Sequence, residues 1–228
     1  MLLRLTPLLA GIGPLLAAYM SFWIGVQADV LPACIPFIDG CASISATGRK
    51  PPGSFLFRAL MFPQTILLLF TWFFAVQWLR ALDSNVKRSL LTAIHIAGIV
   101  GSIALLLYLT FLGTREPFYE FMRRFGIYFA FAGMVLAEVF IAIALLRMRR
   151  ITADSHLKRM AQMLLALSLA PFVAGFVNFY LKATLADADT AENVIEWIAA
   201  TLMQTNLIVM YFMWRRTGFT VSARVASD

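Results

Sequence analysis

The chain has 228 residues, 61% of them hydrophobic and 14% charged, against roughly 45–50% and about 25% in an ordinary soluble domain. A soluble core of this size cannot hide so much apolar surface, which excludes a soluble enzyme; at about 20 apolar residues per bilayer crossing the length allows roughly six or seven spans. Nineteen Lys and Arg against twelve Asp and Glu give a net charge of +7, and its meaning depends on where those charges fall.

Apolar segments near 5–27, 59–81, 89–112, 126–146, 160–181 and 193–214 predict an all-α polytopic membrane protein, six transmembrane helices in one bundle forming a single domain over 1–228. The first segment follows Arg4 and ends near Val26-Gln27-Ala28, a loose likeness of a signal cleavage site. Its apolar run exceeds the roughly 7–15 residues of a secretory signal, so it reads as a retained helix. If the N-terminus is cytoplasmic, the inner side carries Arg4, Arg80, Lys87, Arg88, Arg147, Arg149, Arg150, Lys158, Arg159, Arg215, Arg216 and Arg224. Only Asp83, Asp154 and Asp228 oppose them, for an inner net of +9, while the outer segments hold seven bases and eight acids. Positive charge collects on the cytoplasmic side of membrane proteins, so both N- and C-termini are expected in the cytoplasm. Basic loops beside anionic headgroups account for the excess, and no nucleic acid is expected as a partner.

The longest connection is the extracytoplasmic loop at 28–58, whose Pro and Gly density forbids a long helix. Both cysteines of the chain, Cys34 and Cys41, lie in it. They are either a disulfide formed on an oxidising side or two small buried residues. The outer loops contain no His to complete a soft-metal site. Neither a metal nor a cofactor is expected.

Within the spans, ionisable groups are costly and are functional candidates by default. His95 and Glu138 stand about 9 and 12 Å from the inner ends of their helices at about 1.5 Å per residue, close enough in depth to meet. Gln204, Asn206 and Ser168 fall at similar levels. The group is either a site, for a proton path or a headgroup, or a hydrogen-bonded knot between helices. Nearer the outer face, Arg58, Gln64, Asn178 and Glu196 lie beneath Ser43-Ile44-Ser45. Arg58 could hold a phosphate through its planar fork or simply snorkel to the interface. A serine nucleophile at Ser43 or Ser45 needs a base, and only Asp39 or another outer acid could serve, so no catalytic residue is assigned. Trp23, Trp72, Trp78, Trp197, Tyr211 and Trp214 are expected in lipid-facing interfacial belts, and Pro63 and Pro171 are expected to kink their helices.

The segment Ile44-Ser45-Ala46-Thr47-Gly48, followed by Pro51-Pro52 and Phe57, resembles the first luminal loop of the FRAG1/DRAM/SFK1 membrane-protein family. Cys34, Pro36, Ser43-Ile44-Ser45, Gly48, Phe57-Arg58 and Pro63 look most similar to its PGAP2-type GPI lipid remodelling branch, with an echo in Glu196-Trp197 and Thr205-Asn206. The resemblance implies a protein working on or with membrane lipids, in that branch by returning a saturated acyl chain to a lyso GPI anchor. The histidines that the family carries in the second outer loop and near the inner end of the last span have no counterpart here, where Phe118-Tyr119-Glu120-Phe121-Met122 and Met210-Tyr211 stand. The chain also has no Asn-x-Ser/Thr sequon.

The expected function is thus membrane-lipid binding with a part in phospholipid or GPI-like glycolipid acyl-chain remodelling at the outer leaflet, in which Arg58 would hold the phosphate beside Ser43, Ser45, Asp39, Asn178 and Glu196. A non-enzymatic lipid organiser or membrane-protein assembly partner is the alternative, and a proton-coupled transporter using His95 and Glu138 a third. The expected location is a bacterial inner membrane or a eukaryotic secretory-pathway membrane.

Overall fold

A computed structural model describes residues 2–185 and 188–221; Asp187, Arg224 and Asp228 of the charge count lie outside the described residues. Six helices are long and apolar enough to cross a membrane: α1 (Thr6–Gln27), α4 (Gly53–Leu82), α5 (Arg88–Phe111), α6 (Pro117–Arg147), α8 (Ser155–Thr184) and α9 (Asp189–Arg216). The connections hold three short helices, α2 (Pro36–Asp39), α3 (Ile44–Thr47) and α7 (Arg149–Ala153), and no strand occurs among the described residues. An all-helical bundle is what lipid imposes, since backbone polar groups there must be satisfied within the segment.

The helices outrun their apolar cores. α4 starts at Gly53 rather than near 59, and α6 at Pro117 rather than near 126. Proline suits the first turn of α6, where its missing N–H would have no intrahelical partner. The extension lifts Glu120, Arg123 and Arg124 out of a presumed loop and onto a helix. Pro14, Pro63 and Pro171 all lie inside continuous helices.

Helix pairing follows small residues. α5 and α6 run antiparallel, with a Cβ placed on Gly133 lying 2.6 Å from the Ala97 carbonyl oxygen and 2.7 Å from Gly101 Cα. α1 packs between α4 and α9, and α8 lies against α9 and α6. The C-terminal half of α8 stands away from the bundle. Its Val173, Phe176, Phe179 and Tyr180 are exposed, and a Cβ on Gly175 would meet nothing within 4 Å.

The aromatic belt expected from sequence is corrected. Only Trp23 is exposed among the tryptophans, while Trp72, Trp78, Trp197 and Trp214 are fully buried and Tyr211 nearly so. The large rings fill the space between helices, as where Trp72 lies over Gly98. Two of the indole N–H groups find partners, Trp78 donating to Thr217 Oγ1 at 2.9 Å and Trp197 to the Ala42 carbonyl at 2.9 Å.

Both ends of the described chain meet at one end of the bundle, where the turn Leu2–Leu5 touches α9. At this end Asp154 caps α8 by accepting from His156 N and Leu157 N, and Arg216 approaches its carboxylate at 3.6 Å. The amide of Leu157, then that of His156, and more weakly Arg216, hold the Asp154 carboxyl below its ordinary range.

Gly133→Ala is expected to lower the melting temperature of the detergent-solubilised protein, by the about 1–3 kcal/mol typical of overpacking. Gly175→Ala, in open space, is expected to leave it unchanged. Equal melting temperatures for the two variants would contradict the α5–α6 contact.

Candidate functional site

The loop between α1 and α4 folds back over the N-terminal half of α9. Its two cysteines, Cys34 and Cys41, are joined in a disulfide with Cα atoms 6.5 Å apart. Asp39 accepts from Ile35 N at 2.7 Å and so closes the start of α2 rather than facing a ligand. Gly40 takes a positive φ of 57°, and a Cβ there would lie 2.1 Å from the Thr190 carbonyl oxygen, so the close approach and the backbone both require glycine.

Asn193, Glu196 and Trp197 sit on one face of α9, three and four residues apart, and each takes one backbone group of the loop. Asn193 Nδ2 donates to the Gly40 carbonyl at 2.7 Å, Trp197 Nε1 to the Ala42 carbonyl, and Glu196 Oε1 accepts from Ser45 N at 3.2 Å. The Trp197 ring lies in a cluster with Tyr19, Phe22 and Phe37, at centroid distances of 5.2, 6.2 and 5.6 Å.

Beside this clamp lies a chamber of about 720 Å³, bounded by Tyr108 of α5, the N-terminal halves of α6 and α9, the C-terminal half of α8, and Ser45 and Arg49 of the loop. Its lining carries Arg49, Arg123, Arg124 and Lys182 against Glu120, Glu192 and Glu196. Glu120 is shared by Arg124 at 2.7 Å and Arg123 at 3.4 Å, and Lys182 pairs with Glu192 at 2.7 Å. Arg49 donates to Ser45 Oγ at 2.7 Å, and among the described residues it forms no ion pair with a carboxylate. With five donors on each guanidinium, these arginines keep hydrogen-bonding capacity to spare. Asn178 also lines the chamber, and its buried Oδ1 has no partner. Ser45 and Ser43 hydroxyls lie 3.0 Å apart, and Ser43 Oγ caps α3 by accepting from Ala46 N at 3.1 Å.

A second cavity of about 70 Å³ lies among Pro14, Leu15 and Ala18 of α1, Met61 and Leu68 of α4, Leu105, Met134, and Ala200, Met203 and Gln204 of α9. Tyr108, Ile127, Phe131 and Glu196 line both cavities.

The structure therefore brings Ser45, Asn178 and Glu196 together at the chamber and leaves Arg58, Asp39 and Ser43 off its lining. Arg58 is half-buried, and its guanidinium donates to the Leu112 carbonyl at the end of α5. Among the polar groups deeper in the spans, Asn206 Nδ2 donates to the Leu164 carbonyl at 2.8 Å and to Ser168 Oγ at 3.0 Å, tying α8 to α9. His95 instead stacks on Phe73 at 6.1 Å, with Nε2 unpartnered. Glu138 is buried with Oε2 unpartnered. Among the described residues no hydrogen bond or ion pair joins His95 to Glu138, although their depths match.

Sequence reasoning missed Arg49, Arg123, Arg124 and Lys182. The usable signal was the spacing of Glu120 from Arg123 and Arg124, three and four residues, which marks one helix face.

A family model described as the Frag1/DRAM/Sfk1/Cwh43P N-terminal domain matches residues 4–216. The chain belongs to this family. No curated protein and no solved structure gives a match. As a Frag1/DRAM/Sfk1 protein it is an integral multi-pass membrane protein, and the matched region takes in all six long helices, the clamp and the chamber.

Trp197→Phe keeps most of the ring packing but leaves the Ala42 carbonyl without its donor, at about 1–3 kcal/mol for a buried unsatisfied group. The variant is expected to unfold at lower temperature and to be cut faster by protease between residues 28 and 52. Wild-type cleavage rates would contradict the clamp.

Proposed function

We propose that the protein binds the headgroup of an anionic phospholipid or glycolipid from the outer leaflet in the chamber between α6, α8 and α9, with both chain ends in the cytoplasm, and that it takes part in remodelling that lipid. The observation that carries this reading is the combination of arginine donors at the chamber with an apolar cavity that adjoins it and shares four of its lining residues. Arginine suits phosphate because its planar fork donates two parallel hydrogen bonds. Arg49 and Arg124 replace Arg58 as the groups assigned to the phosphate, since Arg58 is engaged with Leu112. The standing-off of α8 supports lateral entry from the bilayer, because its exposed outer half leaves the chamber wall thin at Gly175. The orientation rests on the basic excess at the end of the bundle where the two chain ends meet.

A second reading, a lipid holder or organiser that performs no chemistry, is favoured by the surroundings of Ser45. Its hydroxyl accepts from Arg49 and lies beside Ser43, while the Glu196 carboxylate takes the Ser45 backbone N–H. A nucleophilic serine needs a base on its hydroxyl. The transporter reading loses its relay, because His95 and Glu138 are not joined.

The test is to purify the protein in mild detergent, extract the retained lipid and identify it by mass spectrometry beside an Arg49→Gln/Arg124→Gln variant. Losing two hydrogen bonds from charged donors, about 1.5–3 kcal/mol each, is expected to lower retention of a defined anionic lipid at least tenfold. Equal retention of the same lipid by both proteins would overturn the headgroup assignment.

A further inference from the structure

We propose that Glu196 is the specificity-determining residue of the chamber, and that it selects headgroups carrying a hydroxyl beside the phosphate. The proposal rests on the chamber being a headgroup site and names the class of headgroup it takes.

Ser45 holds the two charges that matter. Its Oγ accepts from Arg49 at 2.7 Å and its backbone N–H donates to Glu196 Oε1 at 3.2 Å, so one residue fixes a cation and an acid on the chamber lining. The two lie within electrostatic reach of each other, yet among the described residues no ion pair closes between them. The other acids of the lining are engaged: Glu120 is held by Arg123 and Arg124, and Glu192 by Lys182. Glu196 keeps one oxygen free. Its Oε2 accepts no hydrogen bond among the described residues, and it is not sealed from solvent as Gln204 Oε1 and Asn178 Oδ1 are. An ionised carboxyl can only accept, so this oxygen awaits a donor.

The pairing of Arg49 with Glu196 defines the ligand. A guanidinium takes phosphate oxygens; a carboxylate next to it repels those oxygens and is satisfied only where the ligand turns a donor toward it. A hydroxyl one carbon beyond the phosphoester meets that need. An ammonium in the same place would also donate, but it would bring a second positive charge up to Arg49. The count of charges points the same way, since four cations and three acids line the chamber. That balance suits a monoanionic phosphodiester with a neutral polyol better than a zwitterion.

Glutamine at this position separates the clamp from the selection. Its single carbonyl oxygen is needed by the Ser45 N–H, which turns the amide NH2 toward the chamber. Glu196→Gln therefore keeps the loop contact while a donor replaces the acceptor offered to the headgroup.

The experiment offers detergent-purified wild type and Glu196→Gln an equimolar mixture of phosphatidylglycerol, phosphatidylpropanol and phosphatidylethanolamine with identical acyl chains, and reads the bound species by native mass spectrometry. Phosphatidylpropanol is the same monoanionic phosphodiester without the free hydroxyls. The wild type is expected to favour phosphatidylglycerol over phosphatidylpropanol by about fivefold or more, a conservative figure for a hydrogen bond to a charged group. Glu196→Gln is expected to bring that ratio within about twofold of unity. Equal binding of the two by the wild type, or phosphatidylethanolamine ahead of phosphatidylglycerol, overturns the hydroxyl selection and leaves the chamber as a headgroup site. A Glu196→Gln protein that keeps the wild-type preference, or that binds no lipid, takes the role away from Glu196. If that variant does not fold, Glu196→Asp replaces it, because a carboxylate one methylene shorter cannot reach both the Ser45 amide and the headgroup. A second arm adds glycerophosphoglycerol, the same headgroup without acyl chains, at the lipid's concentration. Bound phosphatidylglycerol is expected to stay; its displacement would make the occupant a soluble phosphodiester and overturn the lipid. Binding of neither anionic lipid by the wild type overturns the chamber together with the selection.

Discussion

Everything at the end of this bundle opposite the two chain ends depends on the backbone of one loop being satisfied by side chains from one helix face. Residues 40–43 lie outside any helix and Ser45 N is in the first turn of α3, so these groups have no partners from helical hydrogen bonding, and a buried amide or carbonyl left unpaired is expensive near lipid. Asn193, Glu196 and Trp197 supply the missing partners to Gly40, Ser45 and Ala42. The disulfide between Cys34 and Cys41 shortens the chain that must be ordered, and the absence of a Cβ at Gly40 lets the loop lie against Thr190. Loop and last helix behave as one piece, and that piece forms one side of the chamber.

The chamber exists because the neighbouring helices do not close against that piece. α5 and α6 are drawn together by glycines, α8 is fastened to α9 lower down by Asn206, Ser168 and the Leu164 carbonyl, and above that fastening α8 is largely exposed. The tie and the opening have complementary roles: a helix fixed at depth can leave space near the surface without leaving the bundle. The charges on the chamber's lining are paired in part, Glu120 with two arginines and Lys182 with Glu192, which holds the cations in place before any ligand arrives. Preformed donors of this kind reduce the ordering cost of binding an anion.

The six apolar segments were legible because a span must be long and continuous, and each long helix covers the segment expected for it to within one residue. The pairing of Cys34 with Cys41 was one of two readings that their count and their place in one loop allowed, and the structure joins them. The chamber was not. A hydropathy window ends where charges begin, so the first turns of α6 were taken as loop, and Glu120, Arg123 and Arg124 lost the helical register that makes them one face. Arg58 drew attention because it stands beside a recognisable motif, whereas Arg49, within the same loop, is the one that reaches Ser45. The tryptophans misled for a related reason: composition places indoles at interfaces, but only packing decides whether the ring faces lipid or fills the gap left by a glycine on the next helix. Depth along a helix is likewise only one coordinate. His95 and Glu138 share it, yet among the described residues no hydrogen bond or ion pair joins them, and His95 stacks on Phe73 of α4.

The central claim, that the chamber between α6, α8 and α9 holds a lipid headgroup, is tested most directly by cryo-electron microscopy of the protein in nanodiscs containing an anionic phospholipid, with a rigid binder to add mass. The account predicts density for a phosphate within hydrogen-bond distance of Arg49 and Arg124. Density for ordered lipid only on the outer surface of the bundle, with the chamber filled by side chains or water, would contradict it.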